Sequence, residues 1–282
     1  MTIAMVMVEI TINKPMVSNK IIFYTYGDKE KYNISKKHLI HLIKLSNVFD
    51  KTYSFSKNDI PKSDLEPFKS LLKEFRGGGF WIWKYLLLEK LINDTNKNDL
   101  IVYSDAGSSF NYHAKNRLLQ YFDMLNSSDF GNFRIESEKN HLEKFWTTKE
   151  IFNYFNVSDN KSILESTQLL GGHLIFKNCE HTKDLLNIFF KLIKKNKELI
   201  TDYYNQFQDD EFIENRHDQS IWSVMSKKYG GVIIENETYF KDRRTEQFNY
   251  PFLSVRNYGH GKKDSLKYYL NLKNYKSNPV YF

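Results

Sequence analysis

Asp99-Leu100-Ile101-Val102-Tyr103-Ser104-Asp105-Ala106-Gly107 is the stretch on which the reading of this chain turns. An unbroken apolar run stops abruptly at an acid and two small residues, as a strand buried on both faces does where it opens into a loop. Upstream, Lys20–Tyr26 (KIIFYTY) reads as a strand closing at Gly27-Asp28, and Lys51–Phe55 as another. Ser35–Asn47 places Leu39, Ile40, Leu42 and Ile43 at helical spacing. A turn at Pro61 leads to a helix over Leu65–Phe75, Gly77-Gly78-Gly79 breaks it, and Phe80–Asn93 restarts. Downstream, Asn116–Leu125, Thr182–Tyr203 and His217–Lys228 read as helices, Leu170–Phe176 and Gly231–Ile234 as strands. Met1–Ile12 reads as a further extended strand. Strands alternating with helices predict an α/β fold with a largely parallel sheet, whose ligands bind at the carboxyl ends of the strands.

Composition sets the outer bounds. A chain of 282 residues, 41% hydrophobic, builds a full globular core, and nothing in it repeats or marks a linker. A net charge of +7 steers anionic partners such as a nucleotide diphosphate, a nucleic acid or a lipid headgroup. Aromatic residues make up 16%, and the flat faces of Tyr and Trp suit sugars and bases. Cys179 stands alone, so no intrachain disulfide forms and a reducing compartment fits. No apolar segment is long enough to span a bilayer, and Met1–Ile12 carries Glu9 without a basic leader. A cytoplasmic protein is expected (the host cytoplasm if viral), with peripheral membrane attachment through its basic charge left open.

Four stretches carry candidate chemistry. In Val102–Gly107, the Asp105 carboxylate at a strand mouth followed by small residues lets a divalent cation and a phosphate approach the backbone, and such oxygen donors suit Mg²⁺ or Mn²⁺. Arg76-Gly77-Gly78-Gly79-Phe80-Trp81-Ile82-Trp83-Lys84 flanks flexible glycines with two phosphate-binding cations, while Trp81 and Trp83 also read as core residues. In Ser166–Asn178, Gln168 both donates to and accepts from sugar hydroxyls, and His173 reads as a core histidine. In Arg216–Ser223, a polar quartet opens an amphipathic helix and Asp218 reads as its N-cap.

The first run resembles the Tyr-Leu-Asp-x-Asp signature of GT-A glycosyltransferases, including glycosyltransferase family 8. It is closer to the Tyr-Leu-Asp-Ala-Gly of bacterial capsule-type and large-virus sugar transferases. Asp105 matches the first aspartate, and Gly107 stands where the second would be. The second stretch is similar to Arg-Gly-x-Gly-Tyr-Trp-x-Trp-Lys-Pro, with Tyr85 in the place of proline; the third resembles a Gln-x-x-Gly segment bordering the sugar pocket. The fourth is similar to Asp-Gln-Asp-x-x-Asn, with Asp218 and Gln219 matching and Ser220 replacing the second aspartate.

The resemblance implies a single GT-A-type domain with a Rossmann-like mixed sheet flanked by helices. Residues about 20–165 would mainly bind the nucleotide-sugar, about 166–265 would hold the acceptor side and catalytic centre, and a basic tail would follow. It implies a metal-dependent glycosyltransferase, with a nucleotide-diphosphate sugar as donor and a saccharide or glycoconjugate as acceptor. Asp105 and His260 would hold Mn²⁺ or Mg²⁺; Thr25, Tyr26, Arg76, Lys84, Ser104, Gly107 and Lys262 would bind the donor. Tyr26 or Tyr32 would stack on the base. Asp218, Gln219 and Gln168 would act at the sugars, with retention of configuration expected and inversion as the alternative. The rival readings are a transferase-like fold serving as an inactive binding module, motivated by Gly107 and Ser220, and a nucleic-acid-binding protein, for which the chain carries no motif.

Overall fold

A computed structural model describes residues 19–61, 66–205, 207–239 and 246–254. The expectations for Met1–Ile12, His260 and Lys262 lie outside these residues. The central sheet has six strands: β1 (Ile21–Tyr26), β2 (Lys51–Phe55), β3 (Leu100–Ser104), β5 (Asn132–Ile135), β6 (His173–Lys177) and β7 (Val232–Ile234). They lie in the order β2-β1-β3-β6-β5-β7. β4 (Ser109–Phe110) and β8 (Phe252–Leu253) form a separate antiparallel pair. β1 pairs in parallel with β2 and β3, and β5 with β7, whereas β6 is antiparallel to both β3 and β5. The sheet is therefore mixed, with β6 alone running against the other five.

Helices cover both faces. On one, α2 (Trp83–Asn93), α4 (Glu180–Lys195) and α5 (Asp218–Tyr229) pack Leu86, Phe189 and Trp222 over Tyr24, Ile101, Tyr103 and Phe176. On the other, α1 (Glu30–Leu45) and α3 (Lys115–Asn126) pack Leu39, Leu42, Leu118 and Phe122 over Phe23, Val102 and Ile175. The unbroken apolar sequence of β3 follows from this: Ile101 and Tyr103 feed one core, Leu100 and Val102 the other. Each such side chain, fully buried, stabilises the fold by roughly 1.5–3 kcal/mol.

Several expectations shift. α1 starts at Glu30, where an acid in the first turn complements the helix dipole. The helix expected over Leu65–Phe75 is present at residues 66–68 and gives way to a 3₁₀ turn at Leu71–Lys73, and the long helix expected to reach Tyr203 stops at Lys195. The strand expected from Leu170 starts at His173.

The largest difference is at residues 77–81. All five have positive φ: 58°, 61° and 105° at Gly77, Gly78 and Gly79, then 52° at Phe80 and 61° at Trp81. The chain makes a left-handed turn here, and α2 starts only at Trp83. At Gly79 a Cβ would also stand 2.9 Å from the Leu72 backbone, so this position admits glycine alone. Phe80 and Trp81 adopt the conformation at about 1–2 kcal/mol each.

Candidate active site

The carboxyl ends of β1 and β3 and the entry to β6 meet at one end of the sheet. Asp105 leaves β3 there, its N–H donating to the Gly172 carbonyl at 2.9 Å, and a tight turn returns the Ser108 N–H to the Asp105 carbonyl. The Tyr103 hydroxyl donates to Asp105 Oδ1 at 2.5 Å. Burial, then the neighbouring carboxylate, pushes the Tyr103 pKa well up, so the phenol stays a donor. Oδ2 lies over Gly172, where a Cβ would stand 3.1 Å away. The Asp105 side chain remains 45% exposed.

Beneath it lies Lys84, buried on the first turn of α2. Its Nζ donates to the Gly171 carbonyl at 2.9 Å and to Asp218 Oδ2 at 3.1 Å, and stands 3.8 Å from Asp105 Oδ1. Asp218 is buried as well, and the Tyr85 hydroxyl reaches the same Oδ2 at 3.3 Å. Burial raises the Asp218 pKa, while Lys84 opposes that rise. Lys84, expected at the donor phosphates, is thus the shared counter-ion of two carboxylates.

Asp218 does not cap its helix. The N-cap is His217, whose φ of 58° and ψ of −121° put a non-glycine residue in a region it seldom occupies. The His217 ring lies 5.4 Å from Phe80 and 5.2 Å from Trp81 between centroids, and its Nε2 is 2.9 Å from Asp202 and 3.1 Å from Arg76 Nε. Arg76 also contacts Asp202 at 3.1 Å and Glu214 at 3.8 Å. Burial lowers the His217 pKa despite the Asp202 carboxylate. Two strained backbone segments, held against each other by these rings, therefore lead into Lys84 and Asp218 respectively.

Gln219 sits beside this pair. Its Oε1 accepts the Gly171 N–H at 3.1 Å, and its Nε2 donates to Gln168 Oε1 at 2.7 Å. Gln168 is buried, and its amide donates to Trp146 O, Thr147 Oγ1 and Ser220 Oγ. Ser220 donates to the Trp146 carbonyl at 2.5 Å and accepts the Arg216 N–H at 2.9 Å. A carboxylate at position 220 would face that carbonyl, which explains serine there.

Other expected contacts are internal as well. Thr25 is buried and donates to the Ser104 carbonyl at 2.8 Å; Ser104 Oγ pairs with His173 Nδ1 at 2.9 Å. Tyr26 stacks on Trp83 at 3.9 Å, so its ring already has an aromatic partner, and Trp83 is a core residue whose Nε1 donates to Gly77 O. These groups brace the floor of the site, because each directs its polar atom or ring face into the protein. Gly107 lies in the turn after Asp105, half-buried.

Sequence reading missed Tyr103, Tyr85, His217, Asp202 and Arg134. Arg134, fully buried in β5, donates to the Leu170 carbonyl at 2.9 Å and is electrostatically coupled to Tyr85 and Asp218; burial lowers its pKa. Tyr85 stood where the resembling pattern has proline, a departure that could have singled it out.

No protein-family model matches the sequence, and comparison with curated proteins finds no match. Among solved structures the chain is similar to a glycosyltransferase involved in the glycosylation of the major capsid of PBCV-1, at 10% identity over 88% of this chain and 98% of that one, with a TM-score of 0.44. An active-site mutant of LgtC aligns at 11% identity over 92% and 97%, with a TM-score of 0.42. Mouse xyloside xylosyltransferase 1 aligns at 9% identity over 88% and 98%, with a TM-score of 0.41. These are resemblances of overall shape, and the functional reading rests on the residues.

Proposed function

We propose that the chain is a glycosyltransferase moving a sugar from a nucleotide-diphosphate sugar to a saccharide or glycoconjugate acceptor. The observation that carries this reading is the exposed Asp105 carboxylate at the mouth of a buried strand, set directly above the buried Lys84–Asp218 pair and beside the Gln219 amide. Cleaving an anomeric carbon–diphosphate bond builds negative charge on the leaving phosphate and positive charge on the sugar ring. A site that offers a positive group to the first and fixed oxygen dipoles to the second lowers that barrier.

A divalent ion, Mn²⁺ or Mg²⁺, would supply positive charge at the diphosphate. Among the described residues no group of three or more His, Cys, Asp or Glu could hold one alone. Asp105 fits as a single ligand, because glycine at 172 leaves its Oδ2 approachable. Further oxygens would come from the phosphates, and His260, outside the described residues, stays the proposed partner. Lys84 holds Asp218 in place; Gln219, tied to Gly171, would face the sugar. Arg76, half-exposed and paired with Asp202, is the described cation proposed to meet a phosphate. Retention of configuration is part of the proposal, with inversion through Asp218 as base the alternative.

Thermal shift against a panel of nucleotide-sugars, with and without Mn²⁺, tests donor and metal together, since a ligand that binds only the folded state raises the melting temperature. Stabilisation by a nucleotide-sugar that grows with Mn²⁺ and vanishes in Asp105→Asn is the expected result. No stabilisation by any member would remove the proposal. The internal hydrogen bonds of Gln168 and Ser220 favour one second reading, a transferase-like fold that binds donors without turnover. Donor hydrolysis by the purified protein separates the two.

A further inference from the structure

Gln168 joins the site to a second buried ion pair. Glu143, fully buried, meets Lys227 at 2.8 Å and also accepts from the Ser223 hydroxyl and from the Thr147 hydroxyl at 2.8 Å. Lys227 donates as well to Ser166 Oγ and to the Thr167 carbonyl, each at 2.6 Å. Ser223 Oγ in turn accepts the Leu169 N–H at 2.8 Å, while the Gln168 N–H and carbonyl are bonded to His141 and Ser137, each at 2.8 Å. The backbone that carries Gln168 is therefore held on both sides of the residue.

The direction of each hydroxyl follows. A carboxylate only accepts, so the Thr147 proton points to Glu143 and Thr147 offers Gln168 a lone pair. Ser220 gives its proton to the Trp146 carbonyl at 2.5 Å and likewise offers a lone pair. Three acceptors thus surround one end of the Gln168 amide: Trp146 O at 3.0 Å, Thr147 Oγ1 at 3.1 Å and Ser220 Oγ at 3.3 Å. Only the NH₂ group fits there, so Oε1 faces Gln219 and takes an N–H from its Nε2 at 2.7 Å. At the far end the Gly171 N–H, which only donates, meets Gln219 Oε1 at 3.1 Å. Both ends of this chain of bonds demand the same orientation. Turning either amide over would set oxygen against oxygen and N–H against N–H, which leaves partly buried polar groups unmatched.

We infer that Gln168 is a positioning residue that locks the Gln219 amide in one orientation, with one N–H and one oxygen lone pair of Gln219 left unpaired among the described residues. Gln168 is 1% exposed and Gln219 half-buried, so contact with a sugar belongs to Gln219. Gly171 is part of the lock, because a Cβ there would stand 3.1 Å from Gln219 Cβ and 3.2 Å from its Oε1. A dipole aimed before the sugar arrives needs no reorganisation as positive charge develops at the anomeric carbon, so losing it slows the chemical step more than it weakens binding. That role toward the sugar rests on the transferase reading; the lock itself does not.

Side-chain amide NMR of the full chain reads the lock directly, with the Gln219 signals identified by their absence in Gln219→Met. In the wild-type protein one Gln219 proton should exchange with water about tenfold more slowly than those of an exposed amide. Gln168→Met is the variant to compare, because Trp146 O, Thr147 Oγ1 and Ser220 Oγ each keep another partner when the amide is gone. There the protection should vanish. On the nucleotide-sugar selected by thermal shift, kcat should fall about tenfold or more while the donor KM stays within about twofold. Two equally fast Gln219 protons in the wild type, protection that survives in Gln168→Met, or a rise in KM at unchanged kcat would overturn the inference. The wild-type exchange measurement decides even where Gln168→Met does not fold. A locked amide in a protein that turns over no nucleotide-sugar keeps the lock and removes the transferase reading; turnover with an unprotected Gln219 does the reverse.

Discussion

Lys84 lies between two carboxylates that the fold treats in contrasting ways. Asp218, 4% exposed, is enclosed by Lys84, Tyr85 and the ring of helices above the sheet, with its pKa raised by burial. Asp105, on the other side of the same ammonium, keeps 45% of its side chain in water and meets Lys84 only at 3.8 Å. The buried end holds geometry at an energetic cost, because an ion pair away from water stabilises only while both partners are present. The exposed end bears little of that burden and is left available for chemistry.

That contrast can be broken experimentally, and the largest effect is expected at the buried end. Lys84→Met leaves Asp218 enclosed without its counter-ion and should cost about 3–5 kcal/mol in urea unfolding. Adding Asp218→Asn to that variant should recover more than half of the loss. A single variant as stable as wild type would show that the pair is not truly enclosed.

Next comes His173, at the start of β6, facing the other side of the sheet at the same end. Its folded-state pKa is lowered by burial from 6.5 to about 4. A depressed histidine pKa means that the unfolded chain takes up the proton first, so stability present above 6.5 is lost as pH falls toward 4. At about 1.4 kcal/mol per pH unit, this amounts to about 3 kcal/mol over that window. His173→Gln should flatten the acid limb of a plot of stability against pH; an unchanged limb would assign it elsewhere.

Gly79→Ala should cost about 1–3 kcal/mol through its left-handed φ and the approach to Leu72. The smallest change in stability belongs to the exposed end. Asp105→Asn should alter the unfolding free energy by no more than about 0.5 kcal/mol and yet abolish transfer. Wild-type turnover in that variant would end the assignment of Asp105, and a large loss of stability would place it with the buried carboxylate.

The strand leading to Asp105 was legible because β3 is buried on both faces and its residues say so without interruption. Lys51–Phe55 was legible to the residue. β5 was not: Asn132 and Arg134 are polar letters in a fully buried strand, and only the tertiary partners Gly230 and Leu170 make them tolerable there. The helix expected over Leu65–Phe75 was carried too far, its helical residues ending at 68, because apolar spacing cannot reveal how a chain meets a glycine-driven change of hand. Asp105 and Lys84 were singled out from their residue types and Asp218 and Gln219 through the resemblance, and the fold brings the four side chains together. Which of the polar groups face inward was hidden, since Thr25, Ser104 and Gln168 carry the same hydroxyls and amide whether they touch a ligand or a neighbouring carbonyl.

The left-handed turn at residues 77–81 also makes the chain intolerant of altered length. Removing or inserting one residue between Phe75 and Trp83 would have to be absorbed by a turn that already seats Gly79 against Leu72 and Trp83 on the Gly77 carbonyl. The position of Lys84, which follows directly, depends on that turn keeping its length. Loop-length variation, the usual freedom of a surface connection, is closed to this segment by its handedness.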